Sequence, residues 1–370
     1  MRIVFFCHSI ISDWNNGNAH FLRGIVSELM WLGHEVVVYE PRRGWSIENL
    51  VRDAGDSAIP AFHAAFPAIR VVRYDPANLD IGAAIDRASL VIAHEWNEPR
   101  LIRSLGEARA CSNSFALLFH DTHHRSVSDS QWCPGLEFYD GALVFGESLR
   151  QLYLRHKWAA RAWTWHEAAD TKVFRPPRAT SQSKDLVWIG NWGDGERTAG
   201  LREYLLAPAK SLGIRTTVYG VRYPTAALHE LREANVTYAG WTPNYEVPDI
   251  FGRSRFTVHI PRTPYAGPLR GIPTIRVFEA LACGIPLISA PWDDCEGLFS
   301  PNQDFLVARN GEEMGRHIRM LLNEPHTARA LAEHGLKTVL SRHACAHRAR
   351  ELLAIYDGLR EPERQKDLAL

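Results

Sequence analysis

The sequence predicts an α/β protein of two Rossmann-like, doubly wound domains facing across a cleft, and three observations lead there. The chain has 370 residues, enough for two domains at roughly 100–200 residues each. Short apolar runs alternate with helical segments through both halves, the pattern of parallel sheets covered on both faces. Between the halves lies a polar, proline-bearing stretch, Phe174-Arg175-Pro176-Pro177 through Lys184. It has few apolar anchors and cannot be a sheet interior. The expected division is a first domain over 1–172, a linker over 173–184, a second domain over 185–345, and a C-terminal helix and tail over 346–370.

In order along the first half, the expected strands are Arg2–Cys7, Glu35–Tyr39, Arg70–Tyr74, Leu90–His94, Ala116–His120 and Ala142–Phe145, with another near Ala162–His166. Between the first two, Leu22, Ile25, Val26 and Leu29 fall on one helical face, and Gly33 stops the helix. That β-helix-β opening implies a right-handed crossover. The second half repeats the pattern with strands Leu186–Gly190, Thr216–Tyr219, Val236–Tyr238, Phe256–Ile260, Pro286–Ser289 and Phe305–Ala308. Its expected helices are Arg197–Leu212, Thr225–Ala234, Ile275–Ala282, Glu312–Leu322, Ala328–Leu340 and Ala344–Leu359, with a charged tail fraying after Gly358.

Bulk properties bound the function. Lys+Arg and Asp+Glu both number 42, so no global field recruits nucleic acid or an anionic membrane. Local basic clusters remain free to bind phosphates, and peripheral membrane contact stays open. No apolar stretch approaches the ~20 residues of a membrane span, and the opening apolar run is too short for a signal peptide. Six cysteines without a CxxC pair read as free thiols in a reducing cytoplasm.

In doubly wound sheets, ligands sit beyond the carboxyl ends of the strands. In Gly271-Ile-Pro-Thr-Ile-Arg-Val-Phe-Glu279, Pro273 is placed for a first helical turn. Thr274, Ile275 and Arg276 then offer free N–H groups at the positive end of the helix dipole, an anion site. Glu279, about a turn further in, either accepts ribose hydroxyls or simply favours the N-terminal half of the helix. A second anion site follows strand Leu186–Gly190. Its glycine-bearing loop, Asn191-Trp-Gly-Asp-Gly-Glu-Arg197, permits close backbone approach, and Arg197 can pair with a diphosphate. The loop lacks a GxGxxG, so a dinucleotide site is not expected.

With these residues on the page, a resemblance is plain. Glu279-Ala-Leu-Ala-Cys-Gly-Ile-Pro-Leu-Ile-Ser289 resembles the E-A-x-A-x-G-x-P-x-I signature of GT-B glycosyltransferases in the family-4-like group (glycosyl transferases group 1), most of all its CgeB-like branch. Asn16-Gly17-Asn18-Ala19-His20 to Gly33-His34-Glu35-Val36, Asp170-Thr-Lys-Val-Phe174-Arg-Pro176, Val218-Tyr219-Gly220 and Gly240-Trp241 resemble further family positions in the same order. The resemblance implies a GT-B fold whose C-terminal helix packs back toward the N-terminal domain. It implies a nucleotide-diphosphate sugar as donor substrate and no other cofactor. Glu279 would contact the donor ribose, Arg197 the diphosphate, and Tyr219-Gly220 with Gly240-Trp241 the base. One departure matters: Gly271 stands where many family members carry a second glutamate near the sugar hydroxyls. Donor sugar identity therefore does not transfer, and the backbone amides from Gly271 to Thr274 are the expected replacement.

In the first half, strand Ala116–His120 delivers His120-Asp121-Thr122-His123-His124-Arg125. Neighbouring residues in one loop do not by themselves converge on a metal ion, so no metal is expected. The resemblance gives His120 the transferred sugar. His94-Glu95-Trp96 is expected on the acceptor side, and Gly17 and Asn18 in the first loop near the donor. Should the reaction invert, it needs a base, and Asp13, His20 and Asp121 are the candidates; the resemblance leans to retention. The weak acidic pair Asp293-Asp294 does not make a metal motif. Trp163 and Trp165 read as packing, while His166 and Glu167 face the cleft. The expected function is metal-independent sugar transfer to an unknown acceptor, whether glycan, lipid, protein or small molecule. The rivals are an inactive nucleotide-sugar-binding protein and a GT-B epimerase.

Overall fold

The structure, a computed structural model, describes residues 1–129, 132–177, 182–193 and 195–367, and side chains as far as residue 360. Residues 178–181 of the expected linker, Asp194 of the glycine-bearing loop and the last three residues of the tail lie outside the described residues.

Two all-parallel sheets form. The first holds β1 (Arg2–Phe6), β2 (Glu35–Pro41), β3 (Val71–Tyr74), β4 (Leu90–His94), β5 (Ala116–Asp121), β6 (Gly141–Val144) and β7 (Ala162–Thr164) in the order β3-β2-β1-β4-β5-β6-β7. The second holds β8 (Lys184–Ile189), β9 (Thr216–Tyr219), β10 (Val236–Tyr238), β11 (Ser254–His259), β12 (Leu287–Ser289) and β13 (Leu306–Val307) in the order β10-β9-β8-β11-β12-β13. Every expected strand exists. Their near-continuous apolar runs are buried on both faces: Ile3, Val4, Val91, Ile92, Leu117, Leu118 and Phe119 are each under 2 % exposed, as central parallel strands require. In each sheet the winding reverses once, between β1 and β4 and between β8 and β11. Those two switch points are where a doubly wound sheet opens a ligand crevice.

The chain divides into two compact units that differ from the expected boundaries. One comprises Met1–Ser12, Leu22–His166 and Cys345–Leu370; the other comprises Asp13–Phe21 and Glu167–Ala344. Residues 13–21, the end of the loop after β1 and the start of the helix that follows, therefore belong to the second unit, and the C-terminal helix to the first. Trp165, fully buried, donates its indole N–H to the Arg348 carbonyl (2.9 Å) and so anchors that helix. The helix runs Cys345–Asp367, past the point where fraying was expected.

The expected helix Arg197–Leu212 is not uniform. It starts at Thr198, widens into a π-helical turn over Arg202–Leu206, where Ala207 N–H bonds the Arg202 carbonyl, and resumes over Ala207–Leu212. Pro208 is the cause: it lacks an N–H and its ring would strike the carbonyl four residues back. Pro273 also shifts. It precedes the cap residue Thr274 instead of opening the helix Ile275–Ala282.

Candidate functional site

At the β8/β11 switch point two arginines converge. Gly190 ends β8, and its N–H is held by the Tyr219 carbonyl (2.9 Å). The loop beyond turns through Gly193 at φ +91°, where a Cβ would lie 2.6 Å from the Arg197 Cβ. Only glycine allows that turn and that approach together. Arg197 lies over the Trp188 ring at 5.6 Å. Its Nε has no hydrogen-bond partner, and among the described residues no carboxylate pairs with it. Burial, then the nearby Arg262 guanidinium, push its pKa down to about 9; it is still a cation at pH 7. Arg262, just after β11, is by contrast paired with Glu196 (2.6 Å) and bonded to Asn191 Oδ1 (3.1 Å). Asn191 also donates its amide to Asn15. Arg262 escaped the sequence reading; the only signal for it was its place after a strand at a switch point.

The helix Ile275–Ala282 starts beside this cluster. Its cap residue Thr274 makes no side-chain cap bond, so the first-turn amides of Thr274, Ile275 and Arg276 are not satisfied from within the cap. The loop of residues 13–21 runs tightly against this end: a Cβ on Gly17 would lie 3.1 Å from Ile275 Cγ2. Asn18 is buried at the start of the helix Asn18–Trp31. A side chain at Gly271 would strain the backbone at φ +90° and displace Cys295 Sγ, which would lie 2.4 Å from its Cβ. The missing second glutamate thus has a steric reason.

Glu279 is fully buried, and both of its oxygens are engaged. Arg276 donates to Oε2. His20 lies 2.6 Å from Oε1 through Nδ1, while its Nε2 accepts the Asp170 N–H (2.8 Å). That backbone donor fixes the tautomer: Nε2 carries the lone pair, and Nδ1–H donates to Glu279. Phe174 stacks on the His20 ring at 4.0 Å. His20 therefore orients a network and has no nitrogen left to act as a base. Glu167, the second residue whose weight the sequence understated, is 6 % exposed and accepts the Ile275 N–H. Burial and the neighbouring Glu279 raise its pKa to about 8, so it is mostly protonated at pH 7.

Asp13 is likewise a clamp. It accepts Trp241 Nε1–H (3.1 Å) and the Asn244 N–H (2.9 Å), tying the loop after β10 to the loop after β1. Gly220 N–H bonds the Gly240 carbonyl (2.8 Å), and a Cβ on Gly220, at φ +154°, would lie 1.9 Å from the Gly190 carbonyl oxygen. The Tyr219 hydroxyl accepts from Lys184 Nζ (3.4 Å).

The first sheet presents its own cluster. His120 is fully buried; burial pushes its pKa to about 3, and its ring lies edge-on to Trp165 at 4.9 Å and to His94 at 5.2 Å. Asp121 is equally buried. It accepts the Tyr153 hydroxyl (2.6 Å) and the His123 N–H (3.0 Å), and burial raises its pKa. Each oxygen thus already accepts one hydrogen bond that holds the β5 loop. Glu95 accepts the N–H and hydroxyl of Thr122 (2.9 and 3.2 Å). Burial, then Asp121, drive its pKa well up. Asp294 caps its own loop through the N–H groups of Leu298 and Phe299. Among the described residues no group of three or more His, Cys, Asp or Glu is arranged to hold a metal ion, and no helix is long and apolar enough to cross a membrane. All six cysteines are free thiols.

Residues 197–354 match the protein family described as Glycosyl transferase-like. No curated protein matches the chain. Solved structures do. The sucrose-phosphate synthase of Thermosynechococcus elongatus has a TM-score of 0.65 at 15% identity, over 97% of this chain and 99% of that one. HepE of Anabaena, in complex with UDP and glucose, has a TM-score of 0.64 at 11% identity, over 96% and 99%. An α-glucosyltransferase in complex with UDP has a TM-score of 0.72 at 12% identity, over 96% and 100%. At such identities the likeness carries the fold. Residues 197–354 thus resemble glycosyl transferases, and the chain has the GT-B glycosyltransferase fold.

Proposed function

We propose that this glycosyltransferase moves a sugar from a nucleotide-diphosphate donor to a hydroxyl acceptor, without a metal ion and with retention at the anomeric carbon. The observation that carries the reading is Arg197, an interior guanidinium with no carboxylate partner among the described residues. An unpaired interior cation costs stability. A diphosphate would supply the missing counter-charge. The helix end at Thr274 and Arg276, which makes no side-chain cap bond, adds dipole to the same end. UDP, the ligand held by HepE and by the α-glucosyltransferase, belongs to this ligand class.

In the reaction, the bond between the anomeric carbon and the β-phosphate oxygen breaks as the acceptor oxygen bonds to that carbon. The growing negative charge on the diphosphate meets Arg197, Arg276 and the helix end, which stabilise the transition state more than the ground state. Retention is supported by the state of the candidate bases. His20 has both ring nitrogens engaged, and each carboxylate oxygen of Asp13 and Asp121 already accepts a hydrogen bond within the fold. The departing phosphate oxygen then takes the acceptor proton. Neutral His120 serves as a hydrogen-bond partner of the transferred sugar. Tyr219, Gly220 and Trp241 frame the base, and Asn191, Gly17 and Asn18 shape the donor loop. Glu279 acts chiefly by orienting Arg276; a direct ribose contact would have to reach a carboxylate with no exposed surface.

The test uses labelled UDP-, GDP- and dTDP-sugars with wild type and Arg197→Met. Wild type should hydrolyse or transfer one donor, and the product's anomeric configuration by NMR should be retained. Arg197→Met should bind that nucleotide at least tenfold more weakly while melting no lower than wild type, since an unpaired cation has been removed. Equal nucleotide affinity in the variant would remove Arg197 from the site. An inverted product would reject retention, and an isomerised donor would make the protein an epimerase.

A further inference from the structure

The carboxyl end of the second sheet carries a histidine that the diphosphate reading leaves unused. His259 is the last residue of β11, the neighbour of β8 at the switch point. It is 3 % exposed. Its Nδ1 lies 2.9 Å from Ser289 Oγ, at the end of β12. That hydroxyl gives its single proton to the Ala290 carbonyl (2.7 Å), so toward the ring it can only accept. Nδ1 therefore carries the hydrogen and Nε2 the lone pair. Nε2 is buried and has no hydrogen-bond partner among the described residues. Burial, then the charge of nearby Arg197, lower the His259 pKa to about 3, so the ring is neutral at pH 7. Two buried donors in the same position accompany it. One is Arg197 Nε–H; the other is Nε1–H of Trp292, whose ring meets His259 edge-on at 6.2 Å.

We propose that His259 sets donor specificity by accepting, through Nε2, a hydrogen bond from a hydroxyl group of the donor. The inference rests on the glycosyl-transfer reading and adds to it a residue that selects the donor.

A buried ring nitrogen has given up its bonds to water, and only a hydrogen-bond donor makes that loss good. The diphosphate is not such a donor. In a nucleotide sugar at pH 7 every phosphate oxygen is an acceptor, and against a lone pair it is repelled. Nor does the imidazole join the arginines as a cation, because burial and Arg197 both oppose its protonation. The groups that flank the diphosphate are different in kind. Ribose lies on one side and the transferred sugar on the other, and both bear hydroxyls. A hydroxyl gives its proton to Nε2 and still accepts through its oxygen, for which Arg197 Nε–H and Trp292 Nε1–H are available donors. The hold of Ser289 on Nδ1 gives the contact its selectivity. With the tautomer fixed, an analogue lacking that hydroxyl leaves Nε2 buried and unpaired, and a site of this kind rejects such analogues far more sharply than an apolar pocket does.

Calorimetry with the full chain first identifies the tightest binder among UDP-glucose, UDP-N-acetylglucosamine, GDP-mannose and dTDP-glucose. Monodeoxy analogues of that compound, altered on the ribose or on the transferred sugar, are then titrated into wild type and His259→Leu. His259→Leu should bind the parent compound at least about tenfold more weakly. One analogue should be weakened to the same extent for wild type and no further for His259→Leu, since the hydroxyl and its acceptor form one interaction. Whether that analogue is a ribose or a hexose derivative names the source of the hydroxyl. The proposal is overturned if His259→Leu binds the parent like wild type, or if every deletion costs both proteins equally. Should His259→Leu not fold, Ser289→Ala releases the tautomer and should shrink the penalty for that analogue; an unchanged penalty overturns the proposal as well. The donor reading fails separately, by wild type binding none of the four nucleotide sugars.

Discussion

Glu167 is the residue where local physics has the widest reach. Its carboxyl sits at the amino end of the helix Ile275–Ala282, bonded to the Ile275 N–H, beside Glu279 and Arg276. Helix dipole, Arg276 and amide all favour the anion; burial and the buried Glu279 oppose it and win, raising the pKa to about 8. The consequence for stability has a definite sign. The folded state holds this proton more tightly than the unfolded chain, where a glutamate titrates near 4.3. Stability from Glu167 is therefore full below about pH 4 and is lost as pH rises through about 8. Glu167→Gln should remove that loss: urea denaturation should find it about 2–4 kcal/mol more stable relative to wild type at pH 9 than at pH 5. A pH-independent difference would mean that Glu167 is ionised in the fold. The sequence offered Glu167 only as a residue near the cleft, because nothing in a linear order shows that position 167 will meet positions 275 and 279. The same gap explains Asp13, His20 and Asp121. Their residue types fit a catalytic base, and only the placement of Asn244, Asp170 and Tyr153 shows which hydrogen bonds within the fold already engage them.

At the scale of elements, the loops at the carboxyl ends of β8, β9 and β11 owe their shapes to glycines with specific neighbours. Gly220 approaches the Gly190 carbonyl, Gly193 makes room for Arg197, and Gly271 is wedged against Cys295. The last position gives a direct test of why the family's second acid is missing. Gly271→Glu would demand both a left-handed backbone at φ +90° and space already filled by Cys295 Sγ. It is expected to destabilise by about 2–4 kcal/mol, read as a fall in melting temperature. A folded, wild-type-stable Gly271→Glu protein would show that the loop adapts and that the departure is one of function. Element existence was legible throughout: all thirteen strands were expected, the central ones from apolar runs, since a strand buried on both faces must be apolar along its length. The details were less so. The π-helical turn before Pro208 and the start of the helix Ile275–Ala282 after Pro273 depend on which turn absorbs the missing proline donor, and periodicity carries no record of that choice.

For the whole molecule, the chain's two ends build one unit. Residues from Cys345 onward join Met1–Ser12 and Leu22–His166, and Trp165 closes the joint through Arg348. Ending the chain at Ala344 should therefore damage the first unit although it removes no strand of its sheet. The truncated protein should lose its cooperative unfolding transition, and limited proteolysis should cleave first within residues 22–166. Clean, wild-type-like melting would show that the helix is dispensable. By itself the sequence determined the α/β class, the two sheets and the proline-marked change from one to the other, and it marked Arg197 and the helix at Ile275 as candidates for an anion. These follow from periodicity, composition and backbone chemistry, which act over a few residues. The tertiary structure decided which carboxylates are free and which are clamps, that residues 13–21 serve the second unit, and that His259, held by Ser289, is neutral at the second switch point. Each of those depends on groups far apart in sequence sharing one low-dielectric neighbourhood, where burial and partner geometry, not residue type, set protonation and access.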